Sequence, residues 1–293
     1  QEGRPDSREA ALIELGGVQE ILGHYDEAIA AYEQALTLAN ERGDGAGTGR
    51  ATGRIGRVHY YRGHYDKALA LLHKYLRGAR QDRDRRLEGA ILSDIGRVYA
   101  AQGDGDRALS LQQQALNLAQ DHDDERGVAV ALTYLGAVYG DLGNYTQAVK
   151  HLQQSLLLAQ QQQARLLQGD ILFYLGHNQT LLEEYTAASE ALQMALNLAR
   201  SLRARRLQAL VLGASTRLYQ ALGNYERAQA DCEQALAIAT ELGLPEAEAW
   251  AALQGQLTPS VLSVLWELLR SFWPRPRLAV QLEAASPEPR RSA

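Results

Sequence analysis

Apolar side chains recur along the chain at three- and four-residue intervals rather than in strict alternation, which puts them on one face of a helix turning 100° per residue. Around Gly136, Leu132, Leu135 and Tyr139 fall at −4, −1 and +3 and predict one such helix, called A. Beyond Gly143 and Asn144, Ala148, Leu152 and Leu156 follow at four-residue spacing and run on through Leu158 and Ala159, predicting a second, B. Gly143 suits the left-handed residue that closes a helix, and Asn144 offers a side-chain oxygen to the free N–H groups that begin the next. Asp104 and Asn224 predict the same cap elsewhere. The local pattern is therefore two antiparallel helices joined by a tight turn.

This pair is a repeating unit. Gly16, Gly56, Gly96, Gly136 and Gly176 recur every 40 residues, with Thr216 in the sixth register. Gly23, Gly63, Gly103, Gly143 and Gly223 follow, then Tyr25, Tyr65, Tyr145, Tyr185 and Tyr225, then alanine at 28, 68, 108, 148, 188 and 228. Leucine closes each copy, from Leu36 to Leu236. Small residues at Gly136 and Ala148 predict close approach of the two helix axes, and Tyr145 fills the space beside the turn. Regularity over so many registers makes the repeat the unit that organises the fold.

A small glycine in helix A, an aromatic after the turn, an alanine in helix B and an A-L-x-L-A ending resemble the tetratricopeptide repeat. Strings such as LGAVYGDLGNYTQA resemble its 40-residue class, found in Pins/LGN-type polarity adaptors and bacterial signalling proteins. The resemblance implies an all-α, right-handed superhelical solenoid of antiparallel helix pairs with C-terminal capping helices, acting as a noncatalytic protein-interaction scaffold. Six copies are expected over 8–247 (8–47, 48–87, 88–127, 128–167, 168–207 and 208–247), after a lead-in at 1–7. The copies with Gly105 in place of the tyrosine, Glu183 in place of the turn glycine and Thr216 in place of the helix A glycine are expected to be locally looser or bent.

The end of a solenoid must hide an apolar face that has no next neighbour. Residues 245–257 continue the helix A register, and Thr258-Pro259 starts a further helix whose apolar arc includes Trp266, Phe272 and Trp273. Capping helices over 248–273 are the first reading. Peripheral membrane association through this amphipathic helix is the alternative, although its polar face lacks the lysine and arginine band such helices carry. Docking to a partner is a third, which makes Trp266, Phe272 and Trp273 a second candidate interface. Four prolines and scattered arginines from Pro274 onward read as a disordered tail over 274–293.

Composition narrows the chemistry. With 46% hydrophobic and 22% charged residues, the chain can build a core. A formal charge of −5 argues against general nucleic-acid binding, which needs a basic face for phosphate. The single cysteine, Cys232, excludes an internal disulfide framework and fits a reducing, cytoplasmic setting; its register, shared with Leu72, Leu152 and Leu192, predicts a buried structural thiol. Six glycines between Gly43 and Gly56 imitate a phosphate loop but lack the lysine and the preceding strand, so a turn and a glycine-rich helix start are expected there. Gly213-Ala214-Ser215 lacks the second glycine of a nucleophile elbow. No histidine pair has metal spacing; neither a cofactor nor a metal is called for, and no catalytic set assembles.

Function should then lie on the face of helix A that points away from helix B, at −6, −3, +1 and +5 from the glycine. The +1 register reads Gly17, Arg57, Arg97, Ala137, His177 and Arg217. Arg50 at −6 and Tyr61 at +5 join in the second copy, and Phe173 at −3 in the fifth. These residues predict a groove with a basic end near copies two and three and a more apolar middle. A protein or peptide segment carrying carboxylates and an apolar anchor would suit it, because arginine forks pair bidentately with Asp or Glu. The competing reading is that such arginines satisfy acids within the solenoid, Asp94 beside Arg97 for example. A second arginine pattern, at 80, 83, 85 and 86 and again at 200, 203, 205 and 206, marks the turns from helix B to helix A as another candidate edge.

Overall fold

The computed structural model describes residues 7–257, which form thirteen α-helices and, among the described residues, no strand. They pair as α1 (Ser7–Leu22) with α2 (Tyr25–Glu41), α3 (Gly45–Tyr61) with α4 (Tyr65–Gln81), and α5 (Arg85–Ala101) with α6 (Gly105–Asp121). Next come α7 (Glu125–Asp141) with α8 (Tyr145–Gln161), α9 (Arg165–Leu181) with α10 (Tyr185–Ser201), and α11 (Arg205–Ala221) with α12 (Tyr225–Leu242). A final helix, α13 (Glu246–Leu257), packs on the last pair. Odd-numbered helices up to α11 are the A helices and even-numbered ones the B helices. Helices α2 to α11 are each 17 residues long. The copies expected to loosen therefore keep full-length helices.

The turns explain that uniformity. A left-handed residue falls every 20 residues, at 23, 43, 63, 83, 103, 123, 143, 163, 183, 203, 223 and 243. At each, the next residue returns its N–H to a carbonyl five positions back, as in Asn144 to Tyr139 at 2.8 Å and Glu184 to Gln179 at 2.9 Å, the Schellman closure. Glu183 adopts φ +63°, so the missing glycine leaves the turn intact and stores backbone strain, about 1 kcal/mol, instead. Caps follow sequence where sequence allows: Asp44, Asp84, Asp104, Asp124, Asn144 and Asn224 each accept an N–H from the third residue beyond.

Inside each pair the close approach is real. A Cβ on Gly136 would lie 2.6 Å from Leu152 Cγ, and one on Gly176 2.5 Å from Leu192 Cγ. In the sixth pair, fully buried Thr216 satisfies its hydroxyl on the Leu212 carbonyl at 3.0 Å. The third pair substitutes chemistry for shape: Gln112, in the Leu152 register, exchanges two 2.8 Å hydrogen bonds with Ser93. The glycines of α3 make room for the Tyr75 ring, against which Cβ atoms on Gly49 and Gly53 would clash. Cys232 is buried, as its register requires.

The solenoid also returns on itself. Gly23, in the first turn, faces Leu242, where a Cβ would lie 2.5 Å from Cδ2, and Gly63 faces Pro245. Tyr25, Ala28 and Tyr32 of the first pair share one apolar core with Ala209, Cys232, Leu242 and Trp250. Large side chains buried in this way contribute roughly 1.5–3 kcal/mol each. Six pairs thus close into a ring, and the inner faces of the A helices enclose a lumen. Residues 1–6, the further capping helix expected after 257 and the tail at 274–293 lie outside the described residues.

Candidate functional site

Residues of all six pairs line one cavity of about 60 Å³ in the lumen, Glu20, Tyr61, Arg97, Tyr134, Asp170 and Arg206 among them. Arg97 lines this cavity and both neighbouring ones. Its guanidinium carbon lies 4.3 Å from the Tyr134 ring centroid and 4.7 Å from that of Tyr60, while Asp94 Oδ1 accepts from it at 3.2 Å. Arg206 reaches across from α11 and lies 4.7 Å from the Tyr61 centroid, with Glu246 at 3.6 Å. Arginine over an aromatic face contributes about 0.5–2 kcal/mol, more as water is excluded. Arg57 lies beside them, and donates to Glu20 at 3.0 Å, a carboxylate that also accepts from Tyr32 at 2.8 Å.

Several polar atoms around this cavity are buried without a hydrogen-bonding partner in the protein: Nε of Arg97 and Arg206, the Tyr25 hydroxyl and Oε2 of Glu246. A buried unsatisfied group costs about 1–3 kcal/mol. Burial pushes the Asp170 carboxyl above its ordinary range, against the opposing pull of Arg206, Arg97 and Arg57. The lumen thus concentrates fixed charge and unmet hydrogen-bonding capacity.

Two larger spaces flank this cavity, and both include Arg97 and Tyr134 in their walls. One, of about 290 Å³, opens between α5 and α7 and is lined by Arg57, Arg86, Arg97 and Arg126 over small residues such as Gly89, Ala90 and Gly127. Its acids are Asp94, which pairs with Arg97, and Asp124, which caps α7. Arg86 donates to the His122 carbonyl at 2.7 Å, whereas exposed Arg126 forms no hydrogen bond or ion pair among the described residues. The other space, of about 190 Å³, is walled by Tyr60, Val138, Phe173, Tyr174 and Leu210 together with Arg206 and Glu246. At its rim burial pushes the Asp141 carboxyl up to about 6.

The residues singled out in the sequence are distributed unevenly over this geometry. Arg57, Tyr61, Arg97 and Phe173 line the lumen. Tyr61 stacks on Tyr25 with centroids 6.1 Å apart, and His177 stacks behind Phe173 at 6.4 Å. Burial, reinforced by Arg217, lowers the His177 imidazole to about 4, so it is neutral near pH 7. Arg217 itself is exposed and forms no hydrogen bond or ion pair among the described residues. Arg50 ties α3 to α1 through Glu9 at 3.2 Å. The pairing of Arg97 with Asp94, the competing reading, is present alongside its place in the wall. At the arginine-rich turns, Arg80 and Arg85 both hold Glu88, at 2.7 and 2.6 Å, and Arg205 holds Glu241 at 2.5 Å. Trp266, Phe272 and Trp273 lie outside the described residues.

Family models of the tetratricopeptide repeat match residues 7–81, 87–156 and 127–201, and a further one matches 216–242. The chain belongs to the tetratricopeptide repeat family. No curated protein matches it. Among solved structures, a Rap protein complexed with competence and sporulation factor is similar, with a TM-score of 0.64 at 13% identity over 87% of this chain and 76% of that one. The Rap conjugation gene regulator of plasmid pLS20 in complex with the Phr* peptide gives 0.62 at 14%, over 92% and 77%. NprR in complex with its cognate peptide NprX gives 0.61 at 18%, over 88% and 79%. At such identities these likenesses show a shared fold.

Within this tetratricopeptide repeat protein, sequence reasoning missed Asp170, Tyr134 and Tyr174, and it placed Arg206 at an arginine-rich edge rather than in the lumen. Asp170 stood on the −6 stripe and was legible. The tyrosines sit at −2, between the buried arc and the stripe assigned to the groove. Arg206 lies ten residues before Thr216, in a turn register, and enters the lumen because the ring closes. Among the described residues no helix is long and apolar enough to cross a membrane.

Proposed function

We propose that this protein is a noncatalytic interaction scaffold whose lumen binds a partner segment carrying carboxylates next to an apolar anchor. The carrying observation is the uneven lining of the lumen: four arginines around small residues on one side, and on the other Phe173, Tyr174, Leu210 and Val138 beside Arg97, Arg206, Asp141 and Glu246. Carboxylates of the segment pair with the arginine forks, Arg126 first because nothing else engages it, while the anchor covers Phe173. The family supplies a scaffold fold, and three similar structures are named as complexes with a peptide or a signalling factor. Fluorescence anisotropy with a labelled ten-residue peptide alternating Asp or Glu with Leu or Phe tests the reading. Phe173→Ala and Arg126→Glu should each weaken binding about tenfold, roughly 1.4 kcal/mol, and an all-acidic peptide should bind no better than either variant. Equal affinity for wild type and both variants would sink it.

A further inference from the structure

Two arginine registers meet at one place in the lumen. Ten residues before the helix A glycine or threonine stand Arg86, Arg126 and Arg206, and one residue after it Arg57, Arg97 and Arg217. The third copy carries both, and its neighbours add Arg57 on one side and Arg126 on the other. Arg57, Arg86, Arg97 and Arg126 all line the space between α5 and α7.

Their engagements differ. Arg57 is held by Glu20 at 2.8 Å and Arg97 by Asp94 at 3.2 Å. The Arg97 guanidinium is also fixed in place between the Tyr134 and Tyr60 rings, its side chain is only 9% exposed, and its Nε is buried without a partner. Arg86 and Arg126 are exposed and meet no carboxylate among the described residues. Arg86 donates to the His122 carbonyl, and Asp124, the remaining acid of the wall, accepts from the Gly127 N–H instead. Both arginines stand in the first turns of their helices, the ends that favour an anion.

A carboxylate offers two oxygens in one plane and a single charge, enough for one arginine fork. A phosphate monoester brings roughly −1.5 to −2 charges and three acceptor oxygens, so it can engage forks arriving from different helices and match two guanidiniums that no acid neutralises. Taking the lumen as the binding surface, as proposed above, we infer that this arginine pocket receives a phosphorylated side chain of the partner segment. Arg86 and Arg126 bind the phosphate from α5 and α7, beside the fixed guanidinium of Arg97. A phosphodiester carries one charge per phosphate and satisfies the pair less well. Recognition is then conditional on phosphorylation. Arg97 and Tyr134 also line the space that holds Phe173 and Tyr174, so the apolar anchor lies close to the phosphorylated residue in the partner's sequence.

Fluorescence anisotropy on the full chain tests this with three versions of the acidic–apolar ten-residue peptide, one central acid being Asp, phosphoserine or phosphotyrosine. At least one phosphopeptide should bind about tenfold more tightly than the Asp peptide. Arg86→Gln with Arg126→Gln, both at exposed positions, should cut that advantage to about twofold, with circular dichroism unchanged. If the double variant unfolds, Arg126→Gln alone, which removes no contact, should still reduce the advantage several-fold. An advantage that survives in the folded variant overturns the pocket. Equal binding of all three peptides by wild type overturns the phosphate reading and leaves the carboxylate reading standing, whereas binding of phosphopeptides alone does the reverse. If no peptide binds, both fall. Inorganic phosphate that binds as tightly as the phosphopeptide would make this a site for a free anion and overturn the segment as its ligand.

Discussion

The interior of each helix pair and the lumen they share obey opposite rules. Between helices A and B the small positions recur in every copy, a glycine or threonine on helix A and an alanine on helix B, while the residue facing the glycine or threonine is leucine in three copies and Tyr32, Gln112 and Cys232 in the others. In the lumen no register keeps one kind of residue through all six copies. The −2 position reads Glu14, Arg54, Asp94, Tyr134, Tyr174 and Ala214. Packing explains the first rule, because helix axes this close leave room only for a small residue at the crossing. Departure from repetition in the lumen, where packing makes no such demand, marks the surface that distinguishes this protein from its fold.

Breaking the framework should have the largest effect. Leu152→Ala opens a void against Gly136 in a fully buried site and should cost about 3 kcal/mol in urea unfolding. Phe173→Ala in the lumen should cost far less stability while reducing peptide affinity. Comparable destabilisation by the two would erase the distinction between framework and lumen.

The third pair sharpens the comparison, since there the framework uses hydrogen bonds. Gln112→Leu leaves the Ser93 hydroxyl without Gln112 Oε1 and should cost about 1–2 kcal/mol. Adding Ser93→Ala should recover much of it, because a matched apolar pair replaces a matched polar one. A double variant no more stable than Gln112→Leu would show that shape, rather than pairing, sets this core.

Smaller effects follow from the turn and from the lumen wall. Glu183→Gly relieves a left-handed φ of +63° and should gain up to about 1 kcal/mol, whereas the same change at an unstrained exposed helix site should lose stability. His177 is held near 4 in the fold against an ordinary 6.5. The unfolded chain therefore binds its proton first, and the stability contributed by the neutral ring is present above pH 6.5 and lost as pH falls towards 4. His177→Gln should flatten that part of the stability profile. An unchanged slope between pH 4 and 6.5 would place the ring in water.

Much of the framework was legible because its signals are local. Gly143 with Asn144 gave a turn and a cap, and Gly136 with Leu152 gave a close approach, all within one copy. The turns from B to A were less so: Arg83, Asp123, Gln163 and Arg203 share the geometry of the glycine turns, yet nothing in those side chains announces a positive φ. The register also placed Arg57, Arg97 and Phe173 in the lumen. Ring closure was not legible, since it arises from small rotations summed over six pairs, and with it went Arg206, which a single copy shows only as a turn residue. Arg50 went the other way: its register suits the groove, but Glu9, forty-one residues earlier, claims it.

The central claim is that the A-helix lumen, rather than the outer surface of the B helices, is where this protein meets its partner. Amide hydrogen exchange of the full chain with and without the acidic–apolar peptide tests it most directly. Slowed exchange in α3, α5, α7 and α9 is the expected result. Protection confined to the even-numbered helices, or a pattern identical with and without peptide, would contradict it.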